Sequence, residues 1–202
     1  LQAFYNCNNL SSVTFLGSPS VIGDEVFAVT ALEEVKLNSG KVVLGNKVFR
    51  DCINLSYIDF GGAEKVGNNF FDGCKRLTKV VFSPDMTEIS DGMFYNCDSL
   101  KTIDIPSQIE YIGKWAFFNC DSLENVSCEN IKKIGEESFM GCLKLKEVSL
   151  NENVEEILKR AFYKCISLDN LIVTAGTIGD EAFYWCTSLE NLSFNENVKS
   201  IK

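Results

Sequence analysis

Histidine is absent from the 202-residue chain, and proline occurs three times, at Pro19, Pro84 and Pro106. Without an imidazole, the usual Ser-His and Cys-His nucleophile pairs have no base. No two cysteines stand at the C-x₂₋₄-C spacing of a zinc site, and no G-x-x-x-x-G-K phosphate loop occurs. Basic residues number 19 against 28 acidic ones, giving a formal charge of −9, and they form no run that could follow a phosphate backbone. Nucleic acid is therefore a poor partner. No apolar stretch approaches the ~20 residues of a membrane span, so direct insertion into a bilayer is not expected of this stretch. The N-terminus also lacks the basic start and apolar middle of a signal peptide. What remains is ordinary globular material, 46% hydrophobic and 23% charged, with ample substance for a core.

Phenylalanine marks a period. Phe4, Phe27, Phe49, Phe71, Phe94, Phe117, Phe139, Phe162 and Phe183 are separated by 23, 22, 22, 23, 23, 22, 23 and 21 residues. A fixed period of this length is the signature of a repeat array. Each unit reads I-G-x-x-A-F-x-x-C-x-x-L-x-x-V-x-L, followed by a variable link that holds all three prolines. The L-x-x-V-x-L portion, Leu100 to Ile105 for example, alternates as a short half-buried strand does. Ala116, Phe117, Cys120 and Leu123, at offsets 0, 1, 4 and 7, predict one apolar face of a short helix. The glycine of I-G is expected to supply a turn, although Ser90 and Leu158 also occupy that slot.

One such unit cannot close a core, but stacked copies can. The expected architecture is an α/β repeat solenoid with nine parallel strands on one side, ~4.8 Å apart. It would form a single domain over residues 1–202, of about nine units of 21–23 residues, truncated at both ends from a longer protein.

The segment LKTIDIPSQIEYIGKWAFFNCDSL, Leu100 to Leu123, resembles the BspA-like leucine-rich repeat family, and the resemblance extends over essentially the whole chain. It implies a leucine-rich-repeat-type right-handed stack with a parallel β-sheet on one side and short helices or turns on the other. It also implies an extracellular or cell-surface location in a host-associated microbe, with signal and anchor outside this stretch. Adhesion rather than catalysis is the implied role. Two departures stand out. Proline directly follows a strand only at Pro106, and Phe27 to Leu32 is one residue short and lacks cysteine, which predicts either a dent or a tighter turn there.

Eight of the nine cysteines share one slot and make seven consecutive rungs from Cys52 to Cys186. Parallel side chains in such a stack keep Cβ atoms ~5 Å apart, beyond the ~3.8 Å that a disulfide prefers. They are expected to be small buried hydrophobes. The acidic pairs Asp24-Glu25, Glu136-Glu137 and Asp180-Glu181 follow the I-G turn, where they would complement a helix N-terminus rather than face each other across a glycosidase cleft. No enzyme activity, metal or cofactor is implied.

Two outward columns could carry a contact. The position after each phenylalanine holds Tyr95, Phe118, Met140, Tyr163 and Tyr184 in consecutive units, with Trp115 and Trp185 in neighbouring slots that other units fill with mostly polar residues. Aromatics carry much interface energy and can stack on sugars. On the strand face the second candidate is Tyr57, Asp59, Lys79, Val81 and Asp104. The expected function is non-catalytic recognition of a host extracellular-matrix protein, a cell-surface protein or a glycan. The alternative is an architectural spacer with no ligand of its own.

Overall fold

The computed structural model describes residues 2–38 and 40–202. The chain winds as a parallel β-solenoid whose rungs coincide with the sequence units. Along one face run Glu34–Lys36, Tyr57–Asp59, Lys79–Val81, Thr102–Ile103, Asn125–Cys128, Glu147–Leu150, Asn170–Val173 and Asn191–Phe194. Pairing along this face is parallel and in register, for example Asn125 opposite Glu147 and Val126 opposite Val148. The central apolar residue of each strand points inward, so Val35, Ile58, Ile103, Val126, Val148 and Leu171 are buried, and their polar neighbours face out.

A second ladder, not foreseen in the sequence, runs along another face. It is built from the residues ending at the Ile of I-G: Glu88–Ile89, Tyr111–Ile112, Lys133–Ile134, Glu156–Ile157, Thr177–Ile178 and Ser200–Ile201. Val21–Ile22, Lys41–Leu44 and Gly62–Val66 form the corresponding N-terminal ladder, with a register shift between Val42 and Val43.

The helix expected over I-G-x-x-A-F-x-x-C does not form in any unit among the described residues. Alternate amides of this segment bond across to the next rung: Trp115 N to Glu136 O at 3.0 Å, Phe117 N to Ser138 O at 2.7 Å and Asn119 N to Met140 O at 2.9 Å. The intervening amides of Phe118 and Cys120 close tight turns onto Trp115 O and Phe117 O. An α-helix would need those amides for its own i−4 carbonyls. The segment also places two residues per rung in the left-handed region, such as Trp115 (φ 57°) and Asn119 (φ 54°), which ends any helix. The apolar offsets are real, but they come from successive turns aimed at one core.

The glycine of I-G opens a turn as expected, with Ala182 N bonded to Gly179 O at 3.2 Å, but its φ is not positive and what the slot demands is small size. A Cβ on Gly135 would stand 2.5 Å from the carbonyl carbon of Gly113, and one on Gly67 would stand 2.4 Å from that of Gly45. The slot is small because adjacent rungs touch through it. The acidic residue that follows does not serve a helix either. Asp24 Oδ1 accepts the Asn46 amide at 2.7 Å, and Asp91 Oδ1 accepts the Lys114 amide at 2.8 Å, each from the next rung.

Phenylalanine forms the spine of the core. From Phe4 to Phe183 the rings stack rung on rung with centroids 5.0 to 6.1 Å apart. Beside it runs the thiol column. The Sγ–H of Cys52, Cys74, Cys97, Cys120, Cys142, Cys165 and Cys186 each donates to the carbonyl of the phenylalanine one rung earlier, at 3.0 to 3.4 Å. All nine cysteines are free, and seven are buried. Cysteine is thus a small hydrophobe that also donates a weak hydrogen bond. Where the second unit lacks it, the Thr30 hydroxyl donates to Phe27 O at 2.9 Å and lies 3.3 Å from Cys52 Sγ.

The expected continuous strand face is interrupted. Between Lys79–Val81 and Thr102–Ile103, and again between Glu147–Leu150 and Asn170–Val173, no ladder forms. At the first of these places the second face also breaks, between Gly62–Val66 and Glu88–Ile89. The turn segments stay continuous there, with Phe71 N bonded to Met93 O at 2.8 Å. Ser90 fills the glycine slot at this seam and reaches Gly67 O through its hydroxyl at 2.8 Å. Of the nine strands expected, the one around Val13 does not ladder.

Candidate functional site: an aromatic stripe on the turn face

The tight turns fix where each outward side chain goes. A residue following phenylalanine lies between two left-handed positions, so its side chain leaves the core and meets its counterpart on the adjacent rung. Tyr95 and Phe118 stack with centroids 4.6 Å apart and planes within 2°, and Tyr163 and Tyr184 stack at 5.4 Å. Met140 is the rung between the two pairs. Tyr95, Phe118, Met140 and Tyr163 are half-buried by this packing, whereas Tyr184 is 50% exposed.

The two tryptophans flank the stripe on opposite sides. Trp115 occupies the first left-handed column, with its Nε1 donating to Glu137 Oε2 at 2.8 Å and Lys114 Nζ lying 4.3 Å from the ring centre. Arg160 continues that column by bonding Glu181 at 2.7 Å. Trp185 belongs to the second left-handed column, 53% exposed, with its ring 6.0 Å from Tyr184 and Lys164 Nζ at 4.9 Å. Burial, followed by the charges of Asp72 and Glu137, raises the Tyr95 hydroxyl pKa and keeps it a proton donor. Two exposed apolar residues that the sequence reading passed over, Leu143 and Ile166, occupy the position after cysteine in the Met140 and Tyr163 rungs and broaden the apolar area. The signal was available, since other rungs put Lys75, Asp98 and Asp121 there.

The second candidate is only partly assembled. Tyr57 lies opposite Lys79, and Asp59 opposite Val81. Lys36 and Lys79 approach the Tyr57 ring at 5.5 and 5.6 Å. Asp104, next after Ile103, stands across the interrupted ladder from them. The shortened second unit makes a dent of about 370 Å³, lined by Asn8, Val29, Thr30, Ala31, Ile53 and Asn54 among others. Among the described residues, no cluster of His, Cys, Asp or Glu could hold a metal ion, and no helix is long and apolar enough to cross a membrane.

Residues 1–124, 46–169 and 116–202 match the BspA type leucine rich repeat region, in 6 copies. The chain belongs to this family. A T. pallidum leucine rich repeat protein superimposes with a TM-score of 0.73 at 26% identity, over 84% of this chain and 82% of that one. A leucine-rich repeat protein from Bacteroides ovatus gives 0.57 at 24% identity, over 98% and 70%. The pneumococcal vaccine antigen PcpA gives 0.53 at 20%, over 88% of this chain and 54% of that one. The last two likenesses concern the fold alone. No curated protein matches. Neither the family model nor these solved structures indicates an enzyme family.

Proposed function

We propose that this solenoid is a non-catalytic recognition module of a cell-surface or secreted protein, and that the stripe from Tyr95 to Tyr184 is its contact face for a partner protein or glycan. The observation that carries the reading is the run of five large apolar side chains on consecutive rungs, ending in exposed Tyr184 and Trp185. A monomer rarely keeps so continuous an aromatic surface without use for it. The surface location is supported by family membership, and the similarity to a vaccine antigen is consistent with it.

The test is a binding screen against extracellular-matrix proteins and a glycan array, with the native chain beside a Tyr95→Ser, Phe118→Ser, Tyr163→Ser variant. Binding lost in the variant supports the stripe. A hit retained in the variant moves the contact to the strand face around Tyr57. Silence at high concentration favours a spacer.

A further inference from the structure

We infer that the element seated on the stripe is a proline-rich segment of a partner protein, in the extended left-handed polyproline II conformation and running along the solenoid axis. The inference rests on the stripe being the contact face, and it commits the partner to protein rather than glycan.

The first support is ring orientation. A sugar stacks on an aromatic face, but Tyr95 and Phe118 turn those faces on each other, as do Tyr163 and Tyr184. What they offer outward is ring edges, which carry the positive end of the quadrupole, and polar tips. Those tips are unused donors. Tyr5 and Trp115 have hydrogen-bond partners for their side chains, but among the described residues the hydroxyls of Tyr95, Tyr163 and Tyr184 and the indole N–H of Trp185 have none. A polyproline II segment makes no internal hydrogen bonds, and where it is proline it shows carbonyls without N–H groups. Donors at Tyr95, Tyr163, Tyr184 and Trp185 thus meet a row of acceptors, with Phe118 and Met140 giving apolar contact between them.

The second support is the period. Rungs repeat every ~4.8 Å, so two rungs span roughly 9.6 Å, against about 9.3 Å for one three-residue turn of polyproline II. The measured ring spacings, 4.6 and 5.4 Å, bracket the rung. An extended β-strand repeats its side chains every ~6.8 Å and falls out of step with both one rung and two.

The third support is charge. Asp72 precedes Tyr95 in the column and Asp121 belongs to the Phe118 rung, while Asp98 of the Tyr95 rung lies 3.9 Å from Lys75. At the other end Lys164 lies over the Tyr163 and Trp185 rings at 5.6 and 4.9 Å, with no carboxylate partner among the described residues. The complementary segment is basic at the Tyr95 end and acidic at the Lys164 end.

Trp115 and Trp185 are the only tryptophans, so fluorescence can follow binding. The probe is an oligoproline peptide with arginine at one end and glutamate at the other. Its control has the same ends and a glycine-serine middle. Oligoproline is expected to bind at least about ten-fold more tightly than the control, and to lose about ten-fold with Tyr95→Ser, Tyr163→Ser. Lys164→Glu keeps the rings, and is expected to abolish the preference for this probe over an oligoproline with arginine at both ends. Equal binding of probe and control, or indifference to both variants, overturns the inference. A stripe-dependent glycan, or a stripe-dependent protein without proline-rich sequence, also overturns it but leaves the recognition reading standing. If nothing binds the stripe, both fall.

Discussion

Val29 holds a left-handed backbone, φ 59°, with a β-branched side chain, an arrangement that costs ~1–2 kcal/mol in steric crowding. Six of the other eight rungs fill this column with Asn6, Asp51, Gly73, Asn96, Asn119 and Gly141, residue types that accept this conformation, and the last two with Lys164 and Trp185. Val29→Asn is therefore expected to raise the unfolding free energy by about 1 kcal/mol in a urea titration, and a loss of stability would show that the valine side chain repays its strain. The opposite is expected at Gly135, where alanine would drive a Cβ to 2.5 Å from the Gly113 carbonyl carbon. Overpacking of this kind costs ~1–3 kcal/mol, readable in the same titration. These backbone roles were visible in part. The Asn, Asp or Gly immediately before most cysteines was a direct sign of a left-handed position, and it argued against the helix that apolar spacing alone suggested. The crowding at Gly135 was not legible, because it is set by the neighbouring rung and not by local sequence.

At the scale of the element, the repeating segments divide into strands that sequence alternation revealed and ladders that it did not. The outer columns of the aromatic stripe were legible because the period alone brings Tyr95 beside Phe118. Their stacking angle was not, since it depends on turn geometry. The seam between the Lys79–Val81 and Thr102–Ile103 strands was equally hidden. It leaves Val80 and Phe82 half-buried where Ile58 and Phe60 one rung earlier are fully buried. Amides of Lys79–Val81 and Thr102–Ile103 are expected to exchange with solvent deuterium well before those of Asn125–Cys128, which pairs on both sides. Equal protection across these strands would contradict an open seam. Thiol reactivity should report burial in the same way. Cys7 is exposed and Cys186 partly so, whereas the others are buried. Native protein treated with a thiol reagent is expected to modify Cys7 first, Cys186 slowly, and the rest only on unfolding.

Over the whole molecule, the shared thiol column makes stability depend on pH. Burial holds the thiols of Cys74, Cys97, Cys120, Cys142 and Cys165 well above their ordinary range, and that of Cys128 up to about 12. In the unfolded chain these groups ionise near pH ~8.5, while in the folded chain they stay protonated. The native state then holds more protons than the unfolded state. The stabilisation is complete below the unfolded pKa and is lost as pH rises above it, by about 1.4 kcal/mol per pH unit for each buried thiol. With six such groups acting together, the urea midpoint is expected to fall steeply between pH 8.5 and 10 under reducing conditions. Cys120→Ala with Cys142→Ala should be less stable at neutral pH yet show a shallower alkaline slope. A midpoint indifferent to pH over that range would falsify the account. The one-dimensional organisation itself was fully legible, since nine phenylalanines at a 21–23-residue spacing leave few other ways to bury them.

The seam has a mechanical consequence. Elsewhere along most of the solenoid, neighbouring rungs are joined by backbone ladders on two faces as well as by the turns. At the seam both ladders are missing. What remains is the turn face, the Ser90 hydroxyl on Gly67 O at 2.8 Å, the exposed Lys75–Asp98 pair at 3.9 Å, the stacked phenylalanines Phe71 and Phe94 at 5.6 Å, and a thiol contact from Cys97 that at 3.4 Å is the longest in its column. A solenoid pulled from its two ends would concentrate strain at that junction. Its force–extension curve is expected to yield there first, releasing the N-terminal rungs from the C-terminal rungs before either block unravels.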